Sequence, residues 1–242
     1  MKSAIFSLAI IAVLSPVGAQ PHSARRDPTA TANAWMKTPT DLSTPDVVLG
    51  ILRADRDRVW DGLIGARSAL TPEEATQHGI AEGAHFATEA EIPDIPDRAV
   101  LIGRFSGFRS VLTASTRAIY TEVSVDVSNV FEDVAGHAKP GGQITIILAG
   151  GTVKTLAGQI ISYLTQPRAY SIQPNKVYLL VLGYYAEGDS YGLAKDWDIT
   201  DGTVKANTAL DMQRAKDGKS TLVGMTKDQL INSLTGRFLA KQ

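Results

Sequence analysis

From Ile119 to Val127 the chain reads Ile-Tyr-Thr-Glu-Val-Ser-Val-Asp-Val. Ile119, Thr121, Val123, Val125 and Val127 share one parity, and Tyr120, Glu122, Ser124 and Asp126 share the other. Successive side chains of a strand point to opposite faces, so this pattern predicts one apolar and one mostly polar face. A one-residue slip would bury Glu122 and Asp126, which pins the register. The pattern extends to Phe131, with a parity slip at Val130-Phe131 that marks a bulge or a strand end near Asn129.

Other strands are expected around this one. Ala99–Phe105 reads as a short strand, Gln143–Ala149 as another, and Ile160–Leu164 as a fourth. Gly150-Gly151 suits a tight primed turn into Thr152-Val153. Val177–Tyr185 is apolar except at Gly183, which predicts a central strand covered on both faces. Gly188-Asp189 turns it back into Tyr191-Gly192-Leu193, and Asp201-Gly202 carries a two-residue hairpin signal between Asp198-Ile199-Thr200 and Thr203-Val204.

Helical patterns flank the strands. Asp46–Gly65 fits one or two short amphipathic helices, with a Val-Val-Leu strand at 47–49 as the alternative. Thr71-Pro72-Glu73-Glu74 forms a helix start with a capping box, and Gly79 can end that helix. Thr226-Lys227-Asp228-Gln229 is a second capping box, followed by an i, i+4, i+8 stripe of Leu230, Leu234 and Phe238 that suits packing on the β block. The prolines of Glu91–Asp97 make an extended connector.

The expected fold is α+β and mainly β: a small antiparallel barrel or sandwich of about six strands with short helices at both ends. The expected division is a signal peptide at 1–19, a disordered linker at 20–45, short helices and connector at 46–96, the β domain at 97–206 and a helical segment at 207–242.

The N-terminus adds a compartment. Lys2 precedes the apolar run Ala4–Leu14, and Val17-Gly18-Ala19 supplies small residues at a cleavage site, which predicts export with a mature start at Gln20. Cys 0 excludes a disulfide scaffold, a thiol enzyme, a cysteine-zinc site and a lipoprotein anchor. Lys+Arg 24 against Asp+Glu 25 gives no nucleic-acid footprint. Arg53, Arg56 and Arg58 interleave with Asp55, Asp57 and Asp61 and read as a solvated helix face. No run after the signal is long enough to span a membrane by helix, and no cofactor is implied.

Several pieces of the β block carry a resemblance: Ile119-Tyr120-Thr121 opening the long strand, Val130-Phe131-Glu132 at its end, Gly150-Gly151, Ser171-Ile172-Gln173-Pro174-Asn175-Lys176 leading into Tyr178-Leu179-Leu180-Val181-Leu182, and Trp197-Asp198-Ile199 before Asp201-Gly202. Over 98–205 the chain resembles a recurrent domain of uncharacterised exported bacterial proteins. The resemblance implies a small β-barrel-like fold and export, and no activity.

Four constellations bear on chemistry. Gly188-Asp189-Ser190-Tyr191-Gly192 matches the nucleophile-elbow pattern, but Leu193-Ala194-Lys195 leads into another strand, and no histidine follows Ser190. Hairpin chemistry accounts for the same residues. Asp196, Asp198 and Asp201 superficially resemble a calcium loop, with Thr200 and Thr208 where further ligands belong, so a solvated strand face plus an Asp-Gly turn fits better. Glu132, Asp133 and His137 could ligate a metal but offer no ligand spacing. Gly141-Gly142 and Gly150-Gly151 lack a phosphate-loop context.

Tyr163, Tyr170, Tyr178, Tyr184, Tyr185 and Tyr191 would suit a carbohydrate or peptide surface as well as ordinary strands. The leading expectation is a non-enzymatic binding or envelope-associated module, with a Ser190 hydrolase and a calcium-dependent adhesion module as alternatives. The polar face Tyr120, Glu122, Ser124 and Asp126 is the better place to seek a site.

Overall fold

The computed structural model describes residues 34–41, 54–59, 91–113, 118–163, 172–207 and 209–240. The signal segment, the 71–79 capping box and most of 46–90 lie outside them. The strands are β1 (Thr40–Asp41), β2 (Arg98–Leu112), β3 (Ile119–Asp133), β4 (Gln143–Ala149), β5 (Gly151–Lys154), β6 (Ile160–Tyr163), β7 (Val177–Tyr185), β8 (Ser190–Asp198) and β9 (Lys205–Ala206). Two helices follow, α1 (Ala209–Lys216) and α2 (Lys227–Leu239).

The molecule is mainly β, with a six-stranded antiparallel sheet in the order β4-β3-β2-β7-β8-β9. β4 and β8 also pair in parallel, Ile146 with Tyr191 and Ile147 with Gly192. A second sheet has the order β1-β5-β6. No described helix is long and apolar enough to cross a membrane.

β2 and β3 are each 15 residues long and pair along their whole lengths. Register shifts leave Ser106 of β2, and Ser128 and Phe131 of β3, without an opposing residue. Such bulges bend and twist a ribbon. Of the bulge and the strand end expected near Asn129, the structure has bulging, at Ser128 and Phe131, and β3 continues to Asp133; β2 continues past Phe105 because the extra Ser106 resets its parity.

One core cluster takes one face of the sheet: Leu101, Phe105, Val123, Val125, Ile144, Ile146, Leu148, Tyr178, Leu180, Leu182 and Tyr191. The other face of the sheet's middle, Val100, Ile102, Leu179, Val181 and Trp197, packs against Leu230, Leu234 and Phe238 of α2. β7 lies between β2 and β8 and contributes to both clusters, which is why its sequence is apolar at nearly every position. The α2 cap forms as its sequence predicts: Gln229 N donates to Thr226 Oγ1 at 3.3 Å, and Thr226 N to Gln229 Oε1 at 2.9 Å.

Three local expectations change. Gly150 and Gly151 both have positive φ, yet β4 and β5 do not pair; the chain crosses into the second sheet. The Asp201-Gly202 turn sits inside a wider loop, because β8 pairs with β9 through Trp197–Ala206 and Asp198–Lys205. Residues 34–41, within the stretch expected as a disordered linker, carry a 3-10 turn over Ala34–Lys37 and β1, which pairs in parallel with β5. Met36 is buried in the main core.

Candidate functional site

The polar parity of β3 does not face open solvent throughout. Tyr120 is fully buried beneath a helical turn at 54–59, and its hydroxyl donates to Asp57 Oδ1 at 2.7 Å. Burial, reinforced by the hydrogen bond to Asp57 and its charge, pushes the Tyr120 phenol far above its usual range. Val59 packs beside it in a small cluster with Val111, Ala118, Tyr120 and Ile147.

Two residues along, Glu122 Oε1 accepts from Arg56 Nη1 at 2.9 Å. The same guanidinium donates through Nε to Gly188 O at 2.7 Å and through Nη2 to Asp189 O at 2.9 Å. Arg56 is 6% exposed, so this is a nearly buried cation read by one carboxylate and two carbonyls. Charge-assisted bonds of this kind are the strong class.

The carbonyls belong to the turn joining β7 to β8. A 3-10 turn over Ala186–Gly188 ends at Asp189, whose φ of 40° is left-handed. A Cβ at Gly188 would sit 3.4 Å from Arg56 Cγ and 3.2 Å from Ser190 Oγ, tight enough that either neighbour would have to give. A glycine there thus leaves space for the arginine stem. Of the group expected to be a solvated face, Arg56 and Asp57 instead contact the 186–189 turn and Tyr120, while Arg58 and Asp55 pair at the surface; Arg53 and Asp61 lie outside the described residues.

Further along β3 the face opens. Ser106 Oγ and Gln143 Nε2 donate to Asp126 Oδ1 at 3.0 and 2.9 Å, all at exposed positions. Ser106 reaches this set because it is the bulged residue of β2. Ser124 lies half-buried between this set and Glu122.

The sequence-level motifs are placed elsewhere. Ser190 is 1% exposed, opens β8 and pairs with Tyr185, so a strand follows it where an elbow needs a helix. Asp196 and Asp198 are 6% and 8% exposed, not solvated. Asp196 accepts from Asn207 Nδ2 at 2.6 Å, Asp198 from Lys176 Nζ at 2.8 Å and Thr200 N at 2.8 Å, and Asp201 pairs with Lys205. Burial raises the Asp198 pKa, but the bonds from Lys176 and Thr200 outweigh it and hold it below the usual range. The three carboxylates therefore answer to three different partners.

Glu132 forms a two-pronged ion pair with Arg98. Asp133 accepts from Ala138 N at 2.6 Å, and His137 stacks on Tyr184 with ring centroids 4.3 Å apart. No group of three or more metal-ligating side chains converges among the described residues. Of the tyrosines whose side chains are described, Tyr178 and Tyr191 are buried, and Tyr184 bonds Asp189 with its phenol pushed up to about 12, first by burial and then by that carboxylate. Tyr185 is exposed.

Alternation singled out Tyr120, Glu122, Ser124 and Asp126. It could not supply Arg56, Asp57, Gly188 and Asp189, which lie far away in sequence and whose alternating charges or turn chemistry look ordinary. No family model matches the chain, and no curated protein matches it.

Proposed function

We propose that this is an exported, non-enzymatic binding domain built on a five-stranded, partly open barrel, with its ligand face on the outer surface of β3 and β4 beside the 186–189 turn. The barrel reading is supported by strand order. β2, β3 and β4 form a meander, β7 returns beside β2, and β8 lies between β7 and β4, parallel to the latter. Numbered along the chain, that ring runs 1-2-3-5-4-1, the topology of the oligonucleotide- and oligosaccharide-binding barrels, whose ligands sit on the second and third strands and adjoining loops.

The observation that carries the functional reading is the convergence on the outer face of β3. Groups from β2, β3, β4, the 186–189 turn and the 54–59 segment meet there, and an open polar set around Asp126 continues it. Fold locates such a face; its chemistry must choose the ligand. Arg109 and Arg104 of β2 stand opposite Glu122 and Asp126, so the face lacks the clustered excess of cations that a phosphate backbone calls for, which favours a peptide or carbohydrate over nucleic acid. Export rests on the pattern of residues 2–19 and agrees with the resemblance to exported bacterial domains. The non-enzymatic reading rests on the structural duties of Ser190 and the three aspartates.

Amide chemical-shift mapping with peptidoglycan fragments, neutral oligosaccharides and short peptides of either charge tests the reading. At least one probe class should move 120–126, 143–149 and 186–190. Shifts confined to other surfaces, or ester or peptide hydrolysis abolished by Ser190→Ala, would overturn it.

A further inference from the structure

We propose that the β3 face is an arginine-recognition site, held in this structure by the chain's own 54–59 segment, and that its external ligand is an arginine-bearing peptide segment that displaces it. The inference rests on the binding-face reading above and names that face's ligand.

The acceptors are built without help from the segment. Glu122 is fixed by β3 pairing with Arg109 and Ile147, and the Gly188 and Asp189 carbonyls by the β7–β8 turn. One lies on β3 and two in the β7–β8 turn beside it, and together they satisfy Nε, Nη1 and Nη2 of one guanidinium. A planar fork can meet three such acceptors at once, whereas a lysine ammonium is a point charge and cannot span them. With the arginine withdrawn, a carboxylate and two carbonyls would lose the one donor they share, which is a demand for that cation.

The resident segment shows the rest of the recognised pattern. Asp57 takes the Tyr120 hydroxyl and Val59 enters the Val111, Ala118 and Ile147 cluster, while Arg58 faces solvent. The pattern is Arg-Asp-x-Val. Within residues 54–59, Arg56, Asp57 and Val59 are the side chains seated on the β3 face, spaced as the anchors of a bound peptide would be.

The same arrangement says why an external peptide could win. Asp57 and Val59 lie at the Tyr120 end and Arg56 at Glu122, so a chain running N-terminally from the arginine is directed along β3 toward Ser124 and Asp126. There Ser106, Asp126 and Gln143 are exposed and bonded chiefly to one another. A ligand with a basic residue ahead of its Arg-Asp would meet the Asp126 carboxylate and gain contacts in the displaced state. Such differential affinity is the only way a ligand can shift the equilibrium.

The test uses the full chain with Asp57→Ala and Val59→Ala added to Arg56→Ala (the Arg56→Ala chain below), so that no resident anchor competes, and a synthetic peptide spanning residues 51–60, followed by titration calorimetry. The peptide should bind the vacated site. Versions carrying lysine or citrulline in place of the peptide's arginine at position 56 should bind at least about tenfold more weakly, as should the parent peptide on a chain that also carries Glu122→Gln. Equal binding of all three peptides, or no binding to a folded Arg56→Ala chain, overturns the proposal.

Should Arg56→Ala fail to fold, hydrogen exchange on the unsubstituted chain decides. Excess peptide should speed exchange of the 54–59 amides, and unchanged exchange overturns the proposal. If the arginine peptides fail while a saccharide still maps to β3 and β4, the binding face stands and its arginine specificity falls.

Discussion

At Gly151 there is no space for a side chain. A Cβ would lie 2.5 Å from Thr121 Oγ1 and 2.9 Å from Ser110 Cβ, directly on the Ser110 hydroxyl, with φ at 146°. Those hydroxyls bond each other at 3.0 Å, and Thr121 Oγ1 donates to Gly150 O at 2.7 Å, so they cannot yield without losing buried hydrogen bonds. Gly151→Ala should therefore cost about 2–5 kcal/mol, from overpacking and a backbone conformation alanine resists. Gly236 is the opposite case. It is an exposed position inside α2, with nothing within 4 Å of a Cβ. Gly236→Ala should raise stability by about 0.5–1 kcal/mol, since glycine pays more conformational entropy in a helix. Urea midpoints of the two variants should move in opposite directions; a Gly151→Ala midpoint equal to the unsubstituted chain's would show that the close approach is absent.

Among elements, the tie between the connector and the loop ahead of α2 is electrostatic. Glu91 accepts from the Ser220 hydroxyl, from Thr221 N and Oγ1 at 2.9 and 2.6 Å, and from Leu222 N at 3.2 Å. Burial alone would raise its pKa, but these donors outweigh it and hold the carboxyl below its ordinary 4.5. A folded pKa below the unfolded one means stabilisation that is complete above about pH 4.5 and fades as pH falls through the folded value. Glu91→Gln should thus lower stability near neutrality and flatten the loss of stability between about pH 5 and 3. An acid limb of the same slope in both proteins would remove Glu91 from its cause.

The same scale shows what the amino-acid pattern can convey. β3, β4, β7 and α2 were legible because each presents a repeating face to a core, and several residues carry one period. The second half of β2 was not, because the bulge at Ser106 shifts the parity of everything after it. Half of the candidate site was legible for the same reason. Tyr120 and Glu122 lie on a periodic strand, whereas Arg56 and the 186–189 carbonyls act singly, through contacts that leave no period.

Over the whole molecule, the main core includes a residue that no pattern announces. Met36 is the one large apolar side chain described in 34–41, and it is 2% exposed within the main core cluster. Its short segment is held by β1, where Thr40 pairs with Val153 and Asp41 with Lys154, and by Ser110 N donating to Thr40 Oγ1 at 2.9 Å. Met36 stands beside Trp35 in a stretch otherwise made of Ala, Lys, Thr, Pro and Asp, too short to show a period, yet its unbranched chain suits an irregular gap left by others. If this segment is part of the core, Met36→Ala leaves a cavity and should cost about 2–5 kcal/mol. Met212→Ala is the matched control: the same chemistry on α1 at 48% exposure should change stability by no more than about 0.5 kcal/mol. Denaturant unfolding of the two variants separates the cases, because a segment that merely links would make them alike. A Met36→Ala midpoint indistinguishable from that of Met212→Ala would return residues 34–41 to the role of linker, and the main core would then be complete without them.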